Sequence, residues 1–430
     1  MLIPELYNIF KQHPVVTTDS RVCPDGAIFF ALKGPSFNGN NYAKSAIEKG
    51  CSYAVVDEWN EDEVRPEHII LVDDVLTSLQ QLANYHRKTF KTPVIAITGT
   101  NGKTTTKELT AAVLSKEFKV LYTQGNFNNH IGVPLTLLTM TKEHEIAVIE
   151  MGASHPGDIK ELCEIADPNF GLITNVGVAH IEGFESAENV VKTKKELFDY
   201  LEKNDGKVFF NNALKDVISL SDQTNVNAFG RDDSSLFVSG FVLANYPYLE
   251  FQWQFFEHKH QVKTHLIGDY NLDNALAAIT IGSFFGVNHE FINDALELYI
   301  PKNNRSQFEK TEKNTLVIDA YNANPTSMKA ALDSFVNFPI SPKALILGEM
   351  RELGGVSKAE HQQLVDLIDA YSFTKVYLVG SSFKDLKTNF PVYDNVGQLI
   401  EELASQPLLD HCILIKGSNG VQLDKVVDIL

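Results

Sequence analysis

The sequence predicts an α/β protein of three domains, with a central parallel-sheet P-loop domain and a C-terminal Rossmann-like domain. Three observations lead there. The chain has 430 residues, more than one compact core organises. Short apolar runs alternate with helix-like spans through most of its length, the pattern of βαβ units. And one run, VIAITGTNGKTTTKELTAAVL, passes from a buried strand through a glycine-bounded loop into an amphipathic helix.

The first unit, 1–92, carries the apolar runs AIFFAL and SYAVVD around the turn-rich KGPSFNGNN, followed by the amphipathic TSLQQLANYHRKTF. This is a small α/β domain. Pro93 ends the helix and opens the next strand, which sets the first boundary. The second unit, 93–304, begins with VIAIT, KVLYT, IAVIEM and GLITNV, the parallel strands of the central domain. Over 205–261 the pattern turns to alternation, as in YLEFQWQF, which predicts antiparallel strands at an edge. The third unit, 305–430, repeats the parallel pattern with TLVIDA, KALILG, KVYLVG and CILIKG, a Rossmann-like sheet.

Composition narrows the function. Hydrophobic residues make up 44% and charged residues 21%, which predicts folded domains rather than disorder. A formal charge of −18 repels a phosphate backbone, so nucleic acid is not an expected partner. The start, MLIPELYNIFKQH, has no basic segment followed by an apolar core, and runs such as LAAITIGSFFGV are too short to cross a membrane. A cytoplasmic protein with no membrane partner is expected, and a monomer. Its four cysteines, Cys23, Cys51, Cys163 and Cys412, show no pairing or metal-ligand spacing and read as small buried hydrophobes in a reducing compartment.

The loop Gly99-Thr100-Asn101-Gly102-Lys103-Thr104-Thr105 has the order that a triphosphate requires. Glycines let backbone N–H groups turn toward phosphate oxygens, the helix start adds its positive end, Lys103 neutralises the terminal phosphates and the Thr104 hydroxyl can ligate magnesium. Ile97 stands where the commoner pattern has its first glycine, so the loop is a shortened variant. The motif implies nucleotide binding, hence a P-loop ATPase domain, without specifying the reaction. IAVIEMGAS ends a strand at Glu150, a position from which a carboxylate reaches the mouth of the phosphate loop and can hold Mg²⁺. LITNVGVAHIEGF delivers His180 and Glu182 at the same sheet edge, and VVKTKKELFDYL is a helix bearing Lys192, Lys194 and Lys195. By spacing alone those lysines are a solvated face.

Taken in order, GTNGKTT, IEMGA, TNVGVAHIEGF, KTKKELF, GDYNLDNALAA, PKNNRSQFE, VIDAYNANP, GEMRELG and IKGS resemble the Mur ligase family over essentially the whole chain. The resemblance implies that Gly99, Thr100, Asn101, Gly102, Lys103, Thr104 and Thr105 hold the phosphates of ATP. It implies two magnesium sites, one completed by Thr104 and Glu150 and one by His180. It implies that Lys194 takes up CO₂ as a carbamate, which would turn a cation into an anionic metal ligand. Asn271 and Asn274 would face adenine, Asp319 the ribose and Arg305 the terminal phosphate. Asp19, Ser20 and Arg21 would lie in a uridine-binding region, while Asn126, Asn128, Asn129 and Asn322 would contact the acceptor substrates.

Within the family, GNFNNHIGVPLTLL and DAYNANPTSM most resemble the member that joins D-alanyl-D-alanine to UDP-N-acetylmuramoyl-tripeptide through an acyl phosphate. Two alternatives stay open. Another amide ligase of the family, adding a different amino acid, would lack DAYNANP in this part of the chain and carry an Asp-Asn-Pro-Arg element, which is absent. A P-loop hydrolase or switch would be expected to show Asn-Lys-x-Asp or a strand-end Asp in place of Glu150.

Overall fold

The computed structural model of the chain describes residues 1–60, 62, 64–178, 181–221, 224–302 and 305–430. Strands Val16–Thr17, Ile28–Phe30, Tyr53–Val56 and Ile69–Leu71 form a four-stranded parallel sheet in that order. Asp74 starts the helix Val75–Lys88 by accepting the Thr77 N–H at 2.7 Å, satisfying a donor that the helix leaves open. The buried face of this helix, including Leu79, Leu82 and Ala83, packs on helices Gly132–Leu138 and Asp158–Ala166 of the central domain. One apolar core therefore runs without a break from Leu6 and Leu82 to Met140, Ile165 and Leu201.

The central sheet has nine strands, in the spatial order His258–Lys263, Leu249–Phe255, Val238–Asn245, Asn225–Arg231, Lys207–Asn211, Phe170–Ile173, Val94–Thr98, Ile146–Glu150 and Val120–Tyr122. The antiparallel expectation for 205–261 holds only at the far edge, where Val238–Asn245, Leu249–Phe255 and His258–Lys263 pair antiparallel. Lys207–Asn211 and Asn225–Arg231 extend the parallel part. Alternation misleads there: Val208, Phe209 and Phe210 are all buried, the continuous pattern of a strand covered on both faces. Along Leu249–Phe255 the alternation is real, with Leu249, Phe251 and Trp253 inward. Helix Asn271–Phe284 lies between that sheet and the helix Lys103–Leu114, which accounts for its being apolar nearly all round.

The C-terminal sheet has six strands, ordered Gln307–Lys310, Thr315–Asp319, Cys412–Lys416, Lys343–Gly348, Lys375–Val379 and Val392–Tyr393, parallel except for the first pair. Apolar clusters cover both its faces, as a doubly wound sheet requires. It meets the central domain along one side through Ile267, Tyr246 against Phe338 at 5.3 Å between ring centroids, and Tyr248 against Phe308 at 5.6 Å. All four cysteines are free; Cys51, Cys163 and Cys412 are buried, whereas Cys23 is only partly covered. Among the described residues no helix is long and apolar enough to cross a membrane.

Candidate active site between the central and C-terminal domains

The strand Val94–Thr98 is buried along its whole length and delivers the loop at the sheet's C-terminal edge. Gly99 has φ +145° and Gly102 φ +77°, backbone conformations that favour glycine. Space demands it too, because a Cβ at Gly102 would stand 2.4 Å from Asn274 Oδ1. Gly102 precedes the helix Lys103–Leu114, whose first turn receives no side-chain cap. Uncapped N–H groups at a helix start suit an anion. Lys103 Nζ donates to the carbonyls of Gly99 at 2.8 Å and Thr100 at 3.1 Å, so the ammonium is held over the loop itself. Burial pushes this amine down, Glu150 opposes that shift and Arg305 adds to it.

Glu150 ends the strand Ile146–Glu150 and is 1% exposed. Its Oε1 accepts from the Thr104 hydroxyl at 3.2 Å and from Asn128 Nδ2 at 2.8 Å. Its Oε2 is buried without a hydrogen-bond partner. A buried carboxylate oxygen left unpaired beside a hydroxyl is a hard-oxygen donor set, and the two groups fit one magnesium completed by phosphate and water oxygens. Among the described residues no three His, Cys, Asp or Glu side chains converge as a metal cage. His180, expected at a second metal, lies outside the described residues.

These groups open onto a cleft of about 900 Å³ between the two larger sheets. Thr100, Asn101, Thr105 and Asn126 line its central-domain wall, and Arg305, Asp319 and Asn322 line the opposite one. The Arg305 guanidinium lies 3.8 Å from the Tyr321 ring centroid, a stacking that fixes its plane. Asp319 forms an ion pair with buried Lys416, whose Nζ also donates to the Asn322 carbonyl at 3.3 Å. The asparagines divide their work. Asn129 Oδ1 accepts the N–H groups of Ile131 and Gly132, a turn-forming role, whereas Asn128 reaches Glu150. Asn271 and Asn274 sit beneath the loop, with Asn274 Nδ2 donating to Asn271 Oδ1 at 2.8 Å and Asn274 Oδ1 accepting from Thr106 at 3.0 Å.

Lys194 is buried at 2% exposure on the helix Ala187–Lys203, with its ammonium 5.5 Å from the Phe184 ring centroid. Burial first, and Lys103 second, push it down to about 7. Its neighbours Lys192 and Lys195 pair with Glu188 and Asp199 on the surface. Asp19, Ser20 and Arg21 do not line the cleft. Arg21 Nε donates to Asp19 Oδ1 at 2.9 Å, and the Ser20 carbonyl accepts Lys49 Nζ at 2.8 Å, so this element closes on itself in the first domain.

Sequence reasoning missed the contacts that cross the cleft. Asn101 and Asn324 exchange side-chain amide hydrogen bonds, at 2.7 Å from Asn324 Nδ2 and 3.3 Å from Asn101 Nδ2. The Val178 N–H donates to Thr326 Oγ1 at 3.2 Å. Asn324 also caps the helix Pro325–Val336.

Comparison with known proteins identifies the family. Models of the Mur ligase family, catalytic domain, of the Mur ligase middle domain and of the Mur ligase glutamate ligase domain match residues 14–87, 97–282 and 304–419. The UDP-N-acetylmuramoyl-tripeptide--D-alanyl-D-alanine ligases of Rickettsia prowazekii and Bacillus subtilis are 33% and 34% identical to the chain, covering 96% of it and 94% and 92% of themselves. MurF from Acinetobacter baumannii superposes with a TM-score of 0.85 at 28% identity, covering 96% of this chain and 92% of its own. MurF from Thermotoga maritima in complex with ADP gives 0.85 at 26% identity and covers 96% of each chain. By sequence, by fold and by the phosphate loop at its domain junction, the chain belongs to the Mur ligase family.

Proposed function

We propose that this chain joins D-alanyl-D-alanine to UDP-N-acetylmuramoyl-tripeptide, the joining that its relatives' names state for them, and does so at the cost of ATP. The observation that carries the reading is the meeting of Lys103, Thr104 and Glu150 with Arg305 and Asp319 across one cleft. A phosphate loop alone would serve a hydrolase; a second domain bringing an arginine and a ribose-side acid to the same space suits a ligase that must keep water out.

The tripeptide's terminal carboxylate oxygen attacks the γ-phosphorus of ATP in line, forming the O–P bond as the bridge to the β-phosphate breaks and ADP leaves. Lys103 and Arg305 face the charge that builds on the transferring group. The amine of D-alanyl-D-alanine then attacks the acyl phosphate carbon, and inorganic phosphate departs as the amide forms. No side chain is asked to form a covalent intermediate, so orientation and charge supply the rate. Magnesium, when bound, neutralises phosphate oxygens; Thr104 and Glu150 would hold it, and His180 a second ion. Residues 99–105 would cradle the phosphates, Asn271 and Asn274 would face adenine, and Asp319 the ribose.

Lys194 fits the carbamate role because a buried amine lowered to about 7 has a substantial neutral fraction near neutral pH, and the neutral amine can add CO₂. In the same reading Asp19, Ser20 and Arg21 serve the uridine end, and Asn126, Asn128, Asn129 and Asn322 the peptide acceptors. The functional units are 1–92, 93–304 and 305–430, and the enzyme works as a monomer in the cytoplasm without membrane or nucleic acid. The test is phosphate release from ATP measured with UDP-N-acetylmuramoyl-tripeptide, with and without D-alanyl-D-alanine. Release that requires both is expected; release indifferent to both would reject the ligase reading in favour of a hydrolase.

A further inference from the structure

One buried charge in the central domain has no part in the scheme above. Lys107 follows Lys103 by one helical turn and points into the sheet edge, where its side chain is 0% exposed. Leaving water is costly for an ammonium, so a fully buried lysine calls for partners that repay it. Lys107 Nζ donates to the Thr123 carbonyl at 2.6 Å and lies 2.8 Å from Glu108 Oε1. It also lies 3.9 Å from Glu150 Oε2, the oxygen that has no hydrogen-bond partner.

Thr123 links the two groups from behind. Its carbonyl takes the Lys107 ammonium while its hydroxyl accepts the Glu150 N–H at 3.0 Å. The carboxylate is thus approached from two sides, by Thr104 and Asn128 at Oε1 and by a fixed positive charge near Oε2. A hydrogen bond to Oε2 would have satisfied that oxygen; an ammonium shared between Glu108 at 2.8 Å and Oε2 at 3.9 Å offsets part of its charge and leaves its lone pairs open.

We infer that Lys107 is a positioning residue, a resident counter-charge that balances Glu150 while the cleft is empty and opposes a divalent cation entering without nucleotide. The inference rests on the reading of Glu150 as a magnesium ligand. A dication on Glu150 would stand within a few ångströms of the Lys107 ammonium, in a site too buried for solvent to screen the repulsion. The charge of a triphosphate outweighs that repulsion. The metal therefore arrives and departs with the nucleotide instead of staying between turnovers.

The experiment titrates Mn²⁺ into the full-length protein, read by electron paramagnetic resonance, without nucleotide for wild type, Lys107→Gln and Lys107→Arg and with ADP for wild type and Glu150→Gln. The glutamine amide of the first variant retains a donor for the Thr123 carbonyl but carries no charge. Lys107→Gln is expected to bind Mn²⁺ at least about tenfold more tightly than wild type, and Lys107→Arg within about twofold of it. Unchanged or weaker binding in Lys107→Gln would reduce Lys107 to a hydrogen-bonded tie and overturn the inference. If Lys107→Gln does not fold, a tenfold tightening in Lys107→Arg, which keeps the charge, overturns it equally, and wild-type affinity there supports it. Glu150→Gln separates the two levels: if it binds Mn²⁺ with ADP as wild type does, the metal role of Glu150 fails, whatever Lys107 does.

Discussion

The central domain meets its two neighbours in different ways. Toward the first domain the contact is a shared apolar core sealed by polar ties: Arg87 donates to the carbonyls of Ala166 and Asp167 and to Asn169 Oδ1, while His86 Nε2 contacts the Met140 carbonyl at 2.9 Å. Toward the C-terminal domain, apolar contact is confined to one side, around Tyr246, Tyr248 and Ile267. The rest is a cleft bridged by a few neutral hydrogen bonds such as Asn101 to Asn324. Neutral bonds of this kind contribute about 1 kcal/mol each, little enough to break and remake in every cycle. The first interface is a weld and the second a hinge with a latch, so the C-terminal domain is the one expected to move.

If this division holds, substitutions on the cleft side should remove activity with little loss of stability, and those at the weld the reverse. The largest effect is expected from Lys103→Ala, which should lower phosphate release about a thousandfold or more while the melting temperature stays near wild type; near-normal turnover would contradict the nucleotide site. Lys194→Ala should cost about a hundredfold in kcat, with partial rescue by short carboxylic acids that stand in for the carbamate. Full activity without rescue would remove CO₂ from the scheme. Because this amine sits at about 7, it is protonated below that pH and cannot add CO₂. The wild-type rate in bicarbonate should therefore fall on the acid side of about pH 7, and the carboxylate-rescued Lys194→Ala should lack that limb.

The weld is probed by Arg87→Ala. Stripping the donor from the buried Ala166 carbonyl and from three part-buried acceptors should lower stability by about 2–3 kcal/mol, read by urea unfolding, with kcat near wild type in the protein that remains folded. A selective loss of kcat would show that the first domain's seating also governs the chemistry. The smallest effect belongs to Asn324→Ser, which keeps a capping oxygen for the helix and loses the reciprocal amide pair. A rise in the ATP KM of about two- to tenfold at unchanged stability is expected; an unchanged KM would mean that the latch has no weight in closure.

Much of this was legible in the sequence because it is local. A buried strand, two glycines at constrained φ and an uncapped helix start follow one another within residues 94–114, and the C-terminal strands announce themselves as continuous apolar runs. What stayed hidden depends on distance in the chain. The partners Asn101 and Asn324 are 223 residues apart, and neither residue type demands the other. Nothing in TTTKEL marks Lys107 as buried; the turn of the helix against Thr123 and Glu150 buries it. Asp319 read alone is a surface charge, and only the family resemblance gives it a ribose role; its ion pair with Lys416 requires two parallel strands to lie side by side, in the register Asp319 to Lys416.

Gly177 gives the hinge a further consequence. A methyl group there would come within 2.7 Å of Thr326 Oγ1, so the jaws meet at a spot where the chain offers only hydrogen. A bulkier residue such as valine would act as a wedge, leaving each jaw properly folded and the phosphate loop intact but the bite incomplete. Such an enzyme would load its nucleotide and then leave the energised acyl group open to water, consuming fuel without building product.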